Sequence, residues 1–305
     1  MNADHVIETQ DLTRYYNGKC VVDSLNLQVP RGCVFGFLGR NGSGKTTTIR
    51  MLLGLVQPTR GSSALFGTDS TQLTPALRAR VGYLTEEHRV NMWMTVQENG
   101  HFQSQFYPQW NVKVFQSILD HFRLKPDAKA KDLSRGERAG LALALTLAPE
   151  PELMIMDDPA LGLDPVARRA LVESMLYITR RQDRTILFST HILSDVERVA
   201  DHIAILDQSV LRVRCPLEVF RERVRRYLVR FPGTPPDLST VPGVLQSSRS
   251  NQDVRVTCVE KDQSVIQALR SYHPTSIEEV QLGLEEAFIS YLGDRGDRPA
   301  FLSDN

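Results

Sequence analysis

The chain has 305 residues, with 36 basic and 36 acidic side chains, a formal net charge of zero and 41% hydrophobic residues. That length is ample for a sizeable core in one large domain or two smaller ones, and the balanced charge argues against a dedicated nucleic-acid binder, which carries a basic excess. The longest near-continuous apolar run, Leu141 to Ala148 with one threonine, is too short to span a bilayer.

The first residues, Met1-Asn2-Ala3-Asp4-His5, have neither the basic start nor the apolar stretch of a signal peptide, so none is expected. Short strands are predicted from His5 to Glu8 and from Val21 to Val29, where apolar and polar positions mix. Cys33 to Leu38 is almost wholly apolar and of strand length, the pattern of a strand covered on both faces. A glycine-rich loop follows, and then Thr46 to Leu55, with Ile49, Leu52, Leu53 and Val56 at helical spacing. From Thr95 to about Ala148 the pattern turns helical, with Val114, Ile118, Leu119 and Phe122 on one amphipathic face. Apolar strand runs return at Leu153–Met156, Thr185–Ser189 and Ile203–Leu206, separated by predicted helices at Pro165–Arg181 and Ser194–Ala200. Strands alternating with helices predict a mostly parallel sheet.

A boundary is expected near Cys215-Pro216. Beyond it Leu217 to Arg226 reads as helix, Phe231 to Pro236 as a turn-rich break, and Val254, Val256 and Cys258 as an alternating strand. Asp262 is placed to cap a helix carrying Val265, Ile266 and Leu269. Ile277 to Val280 suggests another strand, and Leu284, Ala287, Phe288 and Tyr291 a last helix. The arginines at 221, 223, 225, 226 and 230 read chiefly as a solvated face, with contact to acidic lipid or a partner as the lesser alternative. The four cysteines, Cys20, Cys33, Cys215 and Cys258, lack CxxC spacing and paired histidines. Neither disulfides nor a zinc site is expected, and a reducing cytosol fits.

Gly39-Arg40-Asn41-Gly42-Ser43-Gly44-Lys45-Thr46 matches GxxxxGK[ST], between a predicted strand and a predicted helix as the motif requires. Glycines let backbone N–H groups converge on phosphate oxygens, and the helix N-terminus adds favourable partial charge. Gly39, Asn41, Gly42, Ser43, Gly44, Lys45, Thr46 and Thr47 are therefore candidate nucleotide contacts, with Lys45 on the outer phosphates and the Thr46 hydroxyl on Mg²⁺. Leu153-Met154-Ile155-Met156-Asp157-Asp158 is an apolar strand ending in acids, and Asp157 is the candidate second metal partner.

Leu133-Ser134-Arg135-Gly136-Glu137 resembles the LSGGQ signature of ABC ATPases, and the other parts of that family stand around it in order. Tyr16 occupies the place of the adenine-stacking aromatic, Gly82 to Glu86 the Q-loop, Leu161 to Asp164 the D-loop, and His191 the switch-histidine position. The resemblance covers residues 5 to about 215. It is best with the ATP-binding subunits of ABC-2-type exporters, including the YtrB-like group, whose chains also carry a C-terminal α/β extension. The implied fold is α/β. A P-loop NTPase ABC ATPase domain spans 1–215, with a mostly parallel sheet, an antiparallel β subdomain and a helical subdomain at about 86–150; a small α/β domain follows over 216–292, and a disordered tail over 293–305. The resemblance further implies ATP and Mg²⁺ as ligands and a separate transmembrane permease as partner. It implies a homodimer or a heterodimer with another ABC ATPase subunit, in which Ser134 and Gly136 contact the nucleotide of the opposed chain, on the cytoplasmic face of the membrane. Asp158, His191 and Glu86 fall at the catalytic positions.

Three of these positions depart from the family pattern. Glu86 replaces the Q-loop glutamine and loses its amide donor, Arg135 replaces a glycine, and Asp158 replaces the glutamate that polarises the attacking water. ATP binding follows from the intact parts, but fast hydrolysis does not. An ATP-gated dimerisation switch with little turnover therefore stands as an alternative to a transport motor. A non-transport ABC ATPase is disfavoured: the translation-factor group carries two cassettes, and the DNA-repair group a long coiled coil. Bland readings also remain for Tyr16 as a strand-end aromatic, His191 as a structural histidine and Glu86 as a solvated acid.

Overall fold

A computed structural model describes residues 4–179, 184–260, 263–293 and 302–303. The chain divides into two units, Met1–Leu211 and Arg212–Asn305. The first unit begins with β1 (His5–Tyr16), β2 (Lys19–Leu25), β3 (Gln28–Pro30), β4 (Val34–Gly39), α1 (Lys45–Leu52), β5 (Arg60–Leu65) and β6 (Thr68–Asp69). It continues with α2 (Pro75–Arg78), β7 (Val81–Thr85), α3 (Val96–Ser104), α4 (Val112–His121), α5 (Arg135–Leu147) and β8 (Leu153–Asp157). Last come α6 (Pro165–Thr179), β9 (Thr185–Thr190), α7 (Leu193–Val199) and β10 (His202–Asp207), and β11 (Val210–Pro216) carries the chain across the boundary.

The central layer is a parallel run of strands in the order β10-β4-β9-β8-β7. β4, β8 and β9 are buried at every position, as continuous apolar runs demand in a sheet covered on both faces. A second, antiparallel sheet has the order β2-β1-β5-β6, with β3 also on β1. The single strand predicted from Val21 to Val29 is in fact two. β2 pairs Leu25 with Leu12, whereas β3 pairs Gln28 with Glu8. Between them the buried Thr9 hydroxyl donates to the Leu25 carbonyl and accepts from the Leu27 N–H, each at 2.7 Å. A side chain takes over the ladder there, which no alternation pattern announces.

Three capped helices fill the predicted helical region. Thr95 and Ser134 begin α3 and α5 with reciprocal capping boxes to Glu98 and Glu137, and Asn111 caps α4. On α4 the buried residues are Phe115, Ile118 and Leu119, so Phe115 takes the central place that periodicity gave to Val114 and Phe122. Glycines let these helices approach: a Cβ on Gly140 of α5 would collide with the Phe122 ring.

The second unit holds α8 (Leu217–Arg223), β12 (Val224–Arg230), β13 (Val244–Ser250), β14 (Asp253–Val259), α9 (Ser264–Arg270), β15 (Ser276–Val280) and α10 (Leu284–Leu292). Its sheet has the order β13-β14-β12-β15 and is antiparallel throughout. The helix predicted from Leu217 to Arg226 stops at Arg223, and Val224 onward pairs on both edges as a central strand. Of the arginines read as a solvated face, Arg221 and Arg230 are exposed, while Arg225, Arg226 and Arg230 pair with Glu279, Glu286 and Asp253 on neighbouring elements. Pairing partners remote in sequence decided strand over helix. The predicted cap Asp262 and the end of the helix predicted to reach Arg181 lie outside the described residues. Of the expected tail, Gly293 ends α10 and Leu302–Ser303 pair with Val213 and Arg214; the rest lies outside the described residues.

Gly140→Ala tests the α4–α5 contact by sign. Helix propensity alone would stabilise by about 0.8–1.0 kcal/mol, whereas overpacking costs about 1–3 kcal/mol. The melting temperature should fall by several degrees.

Candidate functional site

The loop between β4 and α1 is shaped by close approach. Gly42 and Gly44 have φ of +80° and +108°, and a Cβ on Gly44 would strike the Val21 carbonyl oxygen. Only glycine fits there, and the backbone amides curl around an open centre. The Ser43 hydroxyl is buried against Gly39, where a Cβ on that glycine would strike it, and finds no hydrogen-bond partner among the described residues. A glycine loop with no room for a Cβ at Gly44, opening directly onto a helix N-terminus, is the cradle that suits a bound phosphate.

Lys45 is 5% exposed, and its ammonium donates to the Gly39 carbonyl at 2.9 Å and the Arg40 carbonyl at 3.4 Å. It also lies 3.8 Å from Asp158 Oδ2. Burial lowers its pKa from the ordinary value, and the charges of Asp158 and Asp157 oppose the drop. A buried cation facing an open cradle has much to gain from phosphate oxygens.

The two acids after β8 turn to different tasks. Asp157 Oδ1 accepts from Thr46 Oγ1 at 3.1 Å and from Ser189 Oγ at 2.8 Å. Asp158 Oδ1 meets His191 Nδ1 at 3.2 Å, and its N–H donates to Ser189 Oγ at 2.9 Å. Ser189 is the residue that sequence reasoning missed: one hydroxyl fixes both acids. Its signal was the Ser-Thr-His run at the end of β9. Asp158 also has a φ of +44°, a left-handed conformation that aspartate tolerates better than most side chains.

A cavity of about 320 Å³ gathers Asn41, Gly42, Gly44, Lys45, Thr46, Thr47, Glu86 and Asp158, with Val21 and Leu161 as further wall. It thus unites most of the predicted contacts with two of the three predicted catalytic positions, and His191 joins them through Asp158. Tyr16 does not line it; its exposed ring lies under the Arg14 guanidinium, 4.5 Å away. Ser134 and Gly136 are also elsewhere. Ser134 caps α5, and a Cβ on Gly136 would strike Ala167 beside the Asp164 carboxylate. The Arg135 guanidinium rests on Gly162, which has no Cβ to obstruct it.

Among the described residues no group of three or more His, Cys, Asp or Glu could hold a metal. A hydroxyl and a carboxylate, Thr46 and Asp157, are instead the pair present, which suits Mg²⁺ taking most of its ligands from phosphates and water.

A parallel sheet that gathers a phosphate-shaped loop, two acids and a histidine at one edge defines a P-loop nucleotide hydrolase. The sequence profile of the ABC transporter family matches residues 22–161. The bacitracin transport ATP-binding protein BcrA of Enterococcus faecalis is 30% identical, over 97% of this chain and 99% of that one. Nod factor export ATP-binding protein I of Neorhizobium galegae is 31% identical, over 94% of this chain and 85% of that one. A solved ATP-binding subunit of an ABC transporter matches with a TM-score of 0.64 and 29% identity, over 71% of this chain and 92% of that one. A dimeric cassette bound to ADP and phosphate, with a TM-score of 0.62 and 20% identity, over 69% of this chain and 98% of that one, shares the fold. The chain belongs to the ABC transporter family, as one of its ATP-binding subunits, which hydrolyse ATP to energise transport.

Removing the Lys45 charge leaves the phosphates without their main side-chain partner. Lys45→Ala should abolish the rise in melting temperature that Mg-ATP gives the native chain, since a ligand stabilises only what binds it. An equal rise in both proteins would move the nucleotide elsewhere.

Proposed function

We propose that this subunit drives an exporter, working with a separate transmembrane permease from the cytoplasmic face, as a homodimer or paired with another ABC ATPase subunit. The bacitracin and Nod factor relatives, whose names denote transport and export, support this direction. Among the described residues no helix is long and apolar enough to cross a membrane.

The observation that carries the chemistry is the convergence of Lys45 and Asp158 on one cavity, with His191 bonded to Asp158 behind it and Asp157 turned to Thr46. In this reading the glycine loop, Asn41 and Lys45 hold the phosphates of ATP. Thr46 and Asp157 hold Mg²⁺, which when bound neutralises charge on the β- and γ-phosphate oxygens. Asp158 polarises the attacking water, and His191 orients the Asp158 carboxylate. Glu86 supplies a further acid at the cavity mouth. Tyr16 stacks on the base, and Ser134 and Gly136 complete the nucleotide site of the opposed subunit.

Turnover in this site is slow. Aspartate holds its carboxylate one methylene closer to the backbone than glutamate, about 1.5 Å short of the family position. Misplacing a catalytic group by about 1 Å can cost on the order of 10²-fold. Asp158→Glu, assayed as phosphate release with the cognate membrane subunit, should raise the rate; an equal or lower rate would mean that the site is built around aspartate.

The second unit contains no phosphate loop or acid strand and serves dimer contact or regulation. A chain ending near residue 211, where the units divide, should retain its Mg-ATP melting shift. Loss of that shift in a folded truncation would give the second unit a part in nucleotide binding.

A further inference from the structure

The segment after β7 contains a histidine that the hydrolytic site does not use. His88 is 2% exposed, two residues beyond Glu86, and its ring Nε2 lies 2.8 Å from the carbonyl oxygen of Pro159. A carbonyl only accepts, so Nε2 carries the proton and donates it. Pro159 directly follows Asp158. The two residues in this link are both left-handed: His88 has a φ of +46° and Asp158 a φ of +44°. Asp158 is also the residue before a proline, a place that normally forces extended backbone. Such a conformation persists only where the surroundings over-determine it.

The bonds that hold Asp158 can be named. Its N–H donates to Ser189 Oγ at 2.9 Å, and its carbonyl accepts from the Leu161 N–H at 3.1 Å. These hold the peptides on either side of Asp158, and His88 holds the carbonyl of the next one, Pro159–Ala160, so that the turn is pinned on both sides of the proline. The His88 backbone N–H in turn donates to the Thr85 carbonyl at 3.1 Å, so the ring is anchored to the end of β7. Thr85 is the register partner of Asp157. The path thus closes on itself: the end of β7, the buried imidazole, Pro159, Asp158 and β8.

We propose that His88 is a positioning residue for hydrolysis, whose Nε2–H, by gripping the Pro159 carbonyl, holds the left-handed turn that aims the Asp158 carboxylate and ties that aim to the 86–88 segment. It does not touch the nucleotide: it is absent from the wall of the cavity that contains Lys45 and Asp158. Glu86, in contrast, lines that cavity and also the separate one of about 540 Å³ that contains His88, Arg135 and Arg138. Displacement of the 86–88 segment would therefore reach Asp158 through one hydrogen bond. The inference rests on the reading of Asp158 as the acid that handles the water.

The test is steady-state phosphate release by the full chain over a range of ATP concentrations, for His88→Leu, His88→Gln and Asp158→Asn. Leucine fills space without a donor, whereas the glutamine amide nitrogen can take the place of Nε2. We expect His88→Leu to lower kcat about tenfold or more, with KM and the Mg-ATP melting shift within twofold of native, and His88→Gln to recover most of the rate. If His88→Leu does not fold, His88→Asn, whose amide is too short to reach, takes its place with the same expectation. An unchanged kcat without the donor overturns the proposal. So does a glutamine variant as slow as leucine or asparagine, which would make the ring mere packing, and so does a change confined to KM. Asp158→Asn separates the two levels. If it is slow while His88→Leu is normal, only the role of His88 fails; if it keeps the native rate, the reading of Asp158 fails and the role of His88 with it.

Discussion

The site depends on one transverse rung of the parallel sheet. Ala204, Phe37, Ser189, Asp157 and Thr85 are successive register partners across β10, β4, β9, β8 and β7. Because the strands are parallel and in step, the loops that leave their ends start together. Gly39 stands two residues past this rung on β4, His191 two past it on β9, Asp158 one past it on β8 and Glu86 one past it on β7. A slip of a single residue would turn each side chain to the opposite face of its strand. The crevice outside the carboxyl ends of parallel strands is where ligands of open α/β sheets bind, and here the segments that leave the rung supply its wall, among them Lys45, Glu86 and Asp158.

Electrostatics then divides the labour among groups that sit a few ångströms apart. Lys45 is the cation at the centre, and both of its close hydrogen bonds go to carbonyls of its own loop. The acids that oppose its loss of charge are held apart by Ser189, one by its side chain and the other by its backbone. A hydroxyl can do this because it donates and accepts at once. Asp157 is thereby turned towards Thr46 and Asp158 towards His191, so two adjacent carboxylates avoid sharing one environment.

The loop after Asp158 is gripped from two further elements. His88 holds the Pro159 carbonyl, and the Arg135 guanidinium covers Gly162. Beyond it, Asp164 accepts from the N–H groups of Val166 and Ala167 and starts α6. Arg135 is a departure from the family pattern, and its bulk finds room because residue 162 lacks a Cβ. Substitution at the signature position is thus accommodated within the chain, at the cost of fixing the loop beside it.

The chemistry at the strand ends was legible in the sequence because it is locally encoded. A phosphate cradle needs φ values that only glycine adopts easily, so Gly42 and Gly44 mark it in any context, and a fully buried strand must be apolar throughout, so β4, β8 and β9 mark themselves. What remained for the tertiary structure were relations between distant residues. Thr46 and Asp157 are 111 positions apart, and His88 and Pro159 are 71. No local pattern foretold that Ser189 would hold both acids, that Asp158 would be left-handed, or that Thr9 would split β2 from β3. The strand Val224–Arg230 makes the same point, since its arginine-rich stretch reads as helix until β14 and β15 pair with both its edges. Backbone preference is a property of the residue, whereas register, pairing and the aim of a carboxylate are properties of what packs against it, and the sequence by itself fixes only the first.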